Sequence, residues 1–337
     1  MSRFAMLAAA CLMLAACGTT TPTARPQPPS SAAAAEAGYP VTIRNCGKDY
    51  TFTAAPRRVV VMNGGSIGEV SSLLALGLGD RIVANAQSYG ASDEPGWVEA
   101  VAALPSGGFK RTSFNDIPRE SMLGLRPDFV LATSGRQFEP RDGFATREEL
   151  RAAGAATYTP ESTCGVGVRQ DQSIEDSYTL LRDLGRIFHV SDRAEKLVAE
   201  SRRRIAAVSA KVAGRPRPKV MLIIPGMSMG SNAFSSIGAK GIWNDIFAKA
   251  GAVNAFEHTS DDLFTNLSKE QVAATKVDAV VIVDWLNPDP DAEARKLFAQ
   301  FPHWGRKYVV LADSAYVAPN NATAVEKIAR VIHPEAF

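Results

Sequence analysis

Residues 173–190, SIEDSYTLLRDLGRIFHV, followed directly by residues 191–211, SDRAEKLVAESRRRIAAVSAK, decide how the rest of the chain is read. Ile174, Tyr178, Leu181, Leu184 and Phe188 recur at steps of three and four, as do Leu197, Ser201, Ile205, Val208 and Val212 in the second piece. That spacing puts each set on one face of an α-helix. Ser173, with Asp176 three residues on, has the form of a capping box, and Asp192 with Glu195 offers a second helix start. No Gly or Pro interrupts Ser191 to Ala213, enough for a rod of roughly 30 Å. On each side lies sequence in which strand and helix alternate.

Upstream, Val41 to Arg44 and Tyr50 to Thr53 read as a hairpin around Gly47. Arg58 to Met62, Arg81 to Asn85, Pro127 to Ala132 and Ala156 to Thr159 read as strands, with helices over Ile67 to Leu76, Asp116 to Leu125 and Thr146 to Ala153. Gly214-Arg-Pro-Arg-Pro then breaks the chain. Beyond it, strands are expected over Lys219 to Ile224, Asp278 to Asp284 and Tyr308 to Ala312, and helices over Gly241 to Ala250, Lys269 to Ala274, Asp291 to Phe301 and Ala322 to Ile332. Nearly continuous apolar strands alternating with helices imply parallel sheets covered on both faces. The expected fold is therefore α/β: two Rossmann-like lobes with central β-sheets, joined by a long backbone α-helix. Ligands in such sheets bind beyond the carboxyl ends of the strands. Those ends hold Asn63, Tyr89, Arg136, Met227, Trp285 and Tyr316.

The N-terminus reads as a targeting segment. Arg3 precedes an apolar run, Phe4 to Ala16, that ends Leu14-Ala15-Ala16-Cys17-Gly18 and resembles a bacterial lipobox, in which Cys17 is acylated. Gly18 to Gly38 is Pro, Thr, Ser and Ala with almost nothing to bury, the composition of a disordered tether. The expected organisation is a signal peptide over 1–16, a tether over 17–38, an N-terminal lobe over 39–170, a helical segment over 171–213 and a C-terminal lobe over 214–337. The folded body then sits outside the cytoplasm, anchored to the membrane through lipid. Cys11 leaves with the signal and Cys17 carries the lipid, so Cys46 and Cys164 are expected to pair in an oxidising compartment.

A net charge of +2 excludes the basic stripe of a nucleic-acid binder. Arg202, Arg203 and Arg204 point in different directions on a helix and read as a solvated face. Gly226-Met-Ser228-Met-Gly230 matches the nucleophile-elbow pattern, with Asp284 or Asp313 and His333 following in hydrolase order. Against a hydrolase, Ser231 to Gly238 reads as loop where a helix should start, and His333-Pro334 ends a helix. A direct zinc or manganese site needs several histidines around one ion, and His189, His258, His303 and His333 are scattered. Neither an enzyme nor a resident metal or cofactor is expected.

The order and spacing of several strings resemble the substrate-binding proteins of ABC importers, in the helical-backbone class that handles ferric siderophores, haem and cobalamin. The carriers are Pro56-Arg-Arg-Val-Val-Val, Ser66-Ile-Gly-Glu-Val, Leu74-Ala-Leu-Gly-Leu-Gly-Asp-Arg-Ile-Val, Leu125-Arg-Pro-Asp-Phe-Val-Leu, Leu267-Ser-Lys-Glu-Gln-Val and Val277-Asp-Ala-Val-Val-Ile-Val. The resemblance runs from about Val41 to the C-terminus. It implies a monomeric receptor that clamps a ferric siderophore between its lobes and delivers it to a permease and ATPase, with cobalamin or haem as the alternative ligand. In this family each lobe offers one surface acid to the permease; the matching positions are Glu120, six before Arg126-Pro-Asp, and Glu270, in Ser268-Lys-Glu-Gln. Tyr89 and Phe264 match aromatic positions of the similar cobalamin-binding protein, and Phe109, Phe234 and Tyr316 fall near other lining positions. Aromatic side chains suit large planar or catecholate ligands, and Arg111 and Arg136 suit an anionic ferric complex. Asn63 and Trp285 complete the expected lining.

Overall fold

The computed structural model describes residues 36–88, 91–109, 116–165, 171–225, 234–284 and 289–337. The expected signal segment, Cys17 and most of the expected tether lie outside these residues.

The chain opens with an antiparallel hairpin, β1 (Val41–Asn45) and β2 (Lys48–Phe52), in register Val41 to Phe52. A first lobe follows: β3 (Val59–Val61), α1 (Ile67–Ala75), β4 (Ile82–Asn85), α2 (Trp97–Ala103), α3 (Arg119–Gly124), β5 (Phe129–Leu131), α4 (Arg147–Ala152) and β6 (Ala156–Tyr158). Its sheet is parallel, in the order β4-β3-β5-β6. Val59, Val60 and Val61 are all buried, the mark of a central strand covered on both faces. α1 stops where Gly77 takes a left-handed φ of +74°, with its N–H returning to the Leu74 carbonyl. α2 was not expected. Of its seven residues only Val101 is buried, so almost no apolar period announces it.

Next come α5 (Ile174–Ile187) and α6 (Ser191–Val212), the latter 22 residues long. The Ser173–Asp176 capping box is present, the Ser173 N–H donating to Asp176 at 2.8 Å. The second helix start, expected at Asp192 with Glu195, falls at Ser191 after Val190 with no side-chain cap, and Glu195 takes Arg182 of α5 at 2.8 Å. A tight corner replaces the cap: His189 has φ +57° and the Val190 N–H reaches the Gly185 carbonyl at 2.7 Å. Gly185 is required there, because a Cβ would stand 2.7 Å from the Cβ of Ala194. The connection is thus a helical hairpin, with α5 packed on β1 and α6 on the helices over Ile242–Ala250 and Asn321–Ile332 of the second lobe. On α6 the buried stripe runs through Ala194, Val198, Ser201, Ile205, Val208 and Val212, leaving Leu197 at its edge.

The second lobe is β7 (Lys219–Ile223), β8 (Phe234–Ile237), α7 (Ile242–Ala250), β9 (Val253–Asn254), β10 (Phe264–Leu267), α8 (Lys269–Ala274), β11 (Ala279–Val283), α9 (Pro290–Gln300), β12 (Tyr308–Leu311) and α10 (Asn321–Ile332). Its parallel sheet has the order β12-β11-β7-β9. Counted by appearance, both sheets read second-first-third-fourth, so the lobes share one topology. The stretch expected as loop after residue 230 is in part strand: β8 pairs antiparallel with β10. One apolar core runs through both inner sheet faces and the helical hairpin, from Phe129 and Leu184 to Val220 and Ile328. Separate outer cores lie on the far face of each sheet. Cys46 and Cys164 form a disulfide, tying the β1–β2 turn to the turn after β6. Among the described residues no helix is long and apolar enough to cross a membrane.

Candidate functional site

The carboxyl ends of the two sheets are built differently. In the first lobe β3 runs into Asn63-Gly64-Gly65-Ser66 and then α1. Asn63 is placed as expected at the strand end, but its side chain is only 5% exposed and turned to bracing. Its Oδ1 accepts the Ser66 hydroxyl at 2.5 Å and the Thr133 N–H at 3.2 Å, joining the ends of β3 and β5. One turn on, Glu69 is buried, and loss of water pushes its carboxyl up to about 7, opposed by hydrogen bonds from its own backbone and Thr133. Nothing in the sequence marked Glu69 out, since a lone acid in a first helical turn ordinarily reads as a dipole partner. Burial also raises Asp116, against the opposing hydrogen bond from Gln137 at 3.2 Å.

After β5, Ser134 and Gln137 close a capping box around a short turn. That turn delivers Arg136 outward: its side chain is 63% exposed, in an open ion pair with Asp142 at 3.2 Å. Phe109, beyond the end of β4, is half-buried against the outer core of the first lobe. In the second lobe Phe264 is half-buried with its ring 5.7 Å from that of Trp243. Together with Ile224, Ser235 and Asn266 it lines a depression beside the end of β7. Phe234 instead packs into the outer core, 5.5 Å from Phe301. Tyr316, after β12, is partly buried against the main core, its carbonyl accepting Asn321 at 2.7 Å. Tyr89, Arg111 and Trp285 lie outside the described residues. An exposed cation thus follows β5 in the first lobe and an aromatic ring on the β8–β10 pair lies beside the end of β7 in the second, while Asn63 and Phe234 pack into the scaffold.

The catalytic alternative loses its histidine and one of its two acids. Asp313 is enclosed by four donors, and His333 Nε2 lies 3.2 Å from the Gly251 carbonyl with Nδ1 3.8 Å from Glu335. Ser228 lies outside the described residues. Among the described residues the one cluster of metal-capable side chains is Cys46, Glu161 and Cys164, and its two sulfurs are bonded to each other.

Glu120 and Glu270 are both exposed, and the shared topology makes them equivalent. Each is the second residue of a six-residue helix, α3 or α8, that leads into the third strand of its sheet. Helix-start hydrogen bonding, its own amide and Ser268, holds the Glu270 carboxyl below the usual range.

Residues 60–305 match the family described as periplasmic binding protein. The chain belongs to that family, a family of extracytoplasmic binding proteins rather than enzymes. No curated protein is similar enough to count as a match. Among solved structures, a periplasmic binding protein from Veillonella parvula superposes with a TM-score of 0.69 at 20% identity, covering 87% of this chain and 97% of that one. An ABC-type Fe3+-hydroxamate transport system structure from Saccharomonospora viridis gives 0.65 at 25% identity, over 88% and 99%. A periplasmic haem-binding protein from Roseiflexus sp. gives 0.61 at 23%, over 83% and 99%.

Proposed function

We propose that this periplasmic binding protein takes a ferric siderophore between its lobes and delivers it to an ABC permease and ATPase, held at the membrane by lipid on Cys17. What supports the binding reading is the doubled topology, with exposed Arg136 on the turn after β5 of one parallel sheet and Phe264, on the antiparallel β8–β10 pair, beside the end of β7 of the other. A cation on one wall and an aromatic on the other suit a bulky anionic complex. The likeness to the Fe3+-hydroxamate structure supports the same choice.

Haem is the less favoured ligand because its iron needs an axial group such as His or Tyr. His189 packs at the α5–α6 corner, its ring 5.9 Å from that of Tyr39, and His333 is buried against Gly251. His303 is exposed beside Phe301 ahead of β12. Among the described residues, His258, exposed on the turn after β9, and Tyr316, partly buried after β12, are what remain on a carboxyl-end side. A siderophore supplies all ligands to its iron and asks only for shape and charge. Tryptophan fluorescence tests this, since Trp243 touches Phe264. Ferric hydroxamate or catecholate should quench it saturably. A shifted haem absorption band without siderophore binding would move the assignment to haem, and no response to siderophores, haem or cobalamin would sink the uptake reading.

A further inference from the structure

The helical hairpin is not the only connection between the lobes. The loop after β4 carries Asp93 across to the second lobe, where its side chain is 3% exposed. Asp93 Oδ2 accepts the backbone N–H groups of Ala312 at 2.8 Å and Ser314 at 3.2 Å, together with the Ser314 hydroxyl. Its Oδ1 takes the Lys327 ammonium at 2.5 Å. The second lobe returns the arrangement with Asp313, on the turn after β12 and 1% exposed. Asp313 Oδ2 accepts the hydroxyls of Ser71 on α1 at 2.8 Å and Ser92 at 3.0 Å. Its Oδ1 accepts the Asp93 N–H at 2.8 Å and, from its own lobe, Asn320 Nδ2 at 3.0 Å. Beside this exchange α1 meets the second lobe at Gly68, where a Cβ would lie 2.0 Å from the Val317 carbonyl oxygen.

We propose that this reciprocal clasp fixes the angle between the lobes, so that Asp93 and Asp313 position the two walls of the ligand cleft before any ligand arrives. Each buried carboxylate is satisfied mainly by donors of the opposite lobe. Separating the lobes would strip those donors from a charge that has little access to water, and buried charge without partners is strongly disfavoured. The clasp also grips the elements that would shape the cleft: α1, which follows the Asn63 to Ser66 turn, and the turn between β12 and Tyr316. The hairpin and the shared apolar core hold the lobes together by packing, which is not directional; the clasp adds directional bonds between them, and those set the angle.

The clasp rests on the proposed function only in calling the cleft a ligand site, because the lobe angle is measurable without ligand. Spin labels on ketone-bearing side chains introduced at Arg151 and Lys296, exposed positions in opposite lobes, report the interlobe distance by double electron–electron resonance. The full chain should give one narrow distribution. Asp93→Ala, Asp313→Ala and the milder Lys327→Met should broaden or shift it, and Gly68→Ala should shift it by wedging α1 from Val317. Tyr158→Phe, which removes a buried bond to Asp183 at 2.7 Å inside the first lobe and its helix, should lower the melting temperature and leave the distance alone. A broad distribution in the unsubstituted chain, or clasp variants that melt earlier yet keep its distance, would overturn the proposal. If the aspartate variants do not fold, Lys327→Met and Gly68→Ala decide it by the same criterion. A wrong ligand assignment shows up only as silent titrations and leaves these distances unaffected.

Discussion

Glu69 carries the clearest pH signature of any single residue. Its folded carboxyl titrates at about 7, against 4.5 when unfolded, because burial disfavours the charge. The folded state therefore holds the proton more tightly. Its contribution to stability is full below about 4.5, falls as pH rises, and levels off above about 7, for a loss of about 3 kcal/mol relative to a residue that does not titrate. Urea unfolding of Glu69→Gln at pH 5 and pH 8 should lack that fall, and an unchanged slope would contradict the burial account. The disulfide was legible at this scale by elimination among four cysteines, two of them assigned to the N-terminal segment. It closes a span of 118 residues, so Cys46→Ser with Cys164→Ser should cost about 5 kcal/mol in the chain-entropy account. Denaturant midpoints check this; a loss below about 1 kcal/mol would mean the hairpin is held by its other contacts. Glu69 and Asp313 were not legible, since their burial comes from residues distant in the chain.

The parallel strands could be read directly, because a strand covered on both faces is written as an uninterrupted apolar run. β8 and β10 could not. Ser235, Ser236, Thr265 and Asn266 give no apolar alternation, and only their mutual pairing makes them strands. The helical hairpin was legible in its periodicity and in one cap, while its corner depends on a close approach that spacing does not record. This yields a contrast between two helix starts. Ser173→Ala should cost about 1 kcal/mol, whereas Asp192→Ala should cost only its dipole contribution, about 0.3 kcal/mol. Equal losses on thermal unfolding would mean that Asp192 caps α6 after all. Gly185→Ala should destabilise more than either, because its Cβ collides with Ala194 on the facing helix.

At the scale of the molecule, the repeated topology gives Glu120 and Glu270 equivalent places, one per lobe, as a two-point dock for a permease requires. Surface carboxylates meeting arginines give oriented, salt-sensitive association. Glu120→Ala with Glu270→Ala should abolish uptake in cells while ligand affinity stays unchanged; a fall in affinity would return both residues to the pocket or the fold. Two lobes and their joining helices were legible from the sequence, but the clasp was not, because it depends on residues more than two hundred positions apart meeting. Only part of the candidate site was legible, since strand ends suggest where a ligand would sit without saying which side chains turn toward it. Arg136 turns out, and Asn63 and Phe234 turn in. The central claim is that one ferric complex touches both sheets at once. Hydrogen–deuterium exchange of the full chain with and without a ferric trihydroxamate measures this most directly. Protection is predicted together at residues 63–66, 133–137 and 264–266, and protection confined to one lobe, or none, would contradict it.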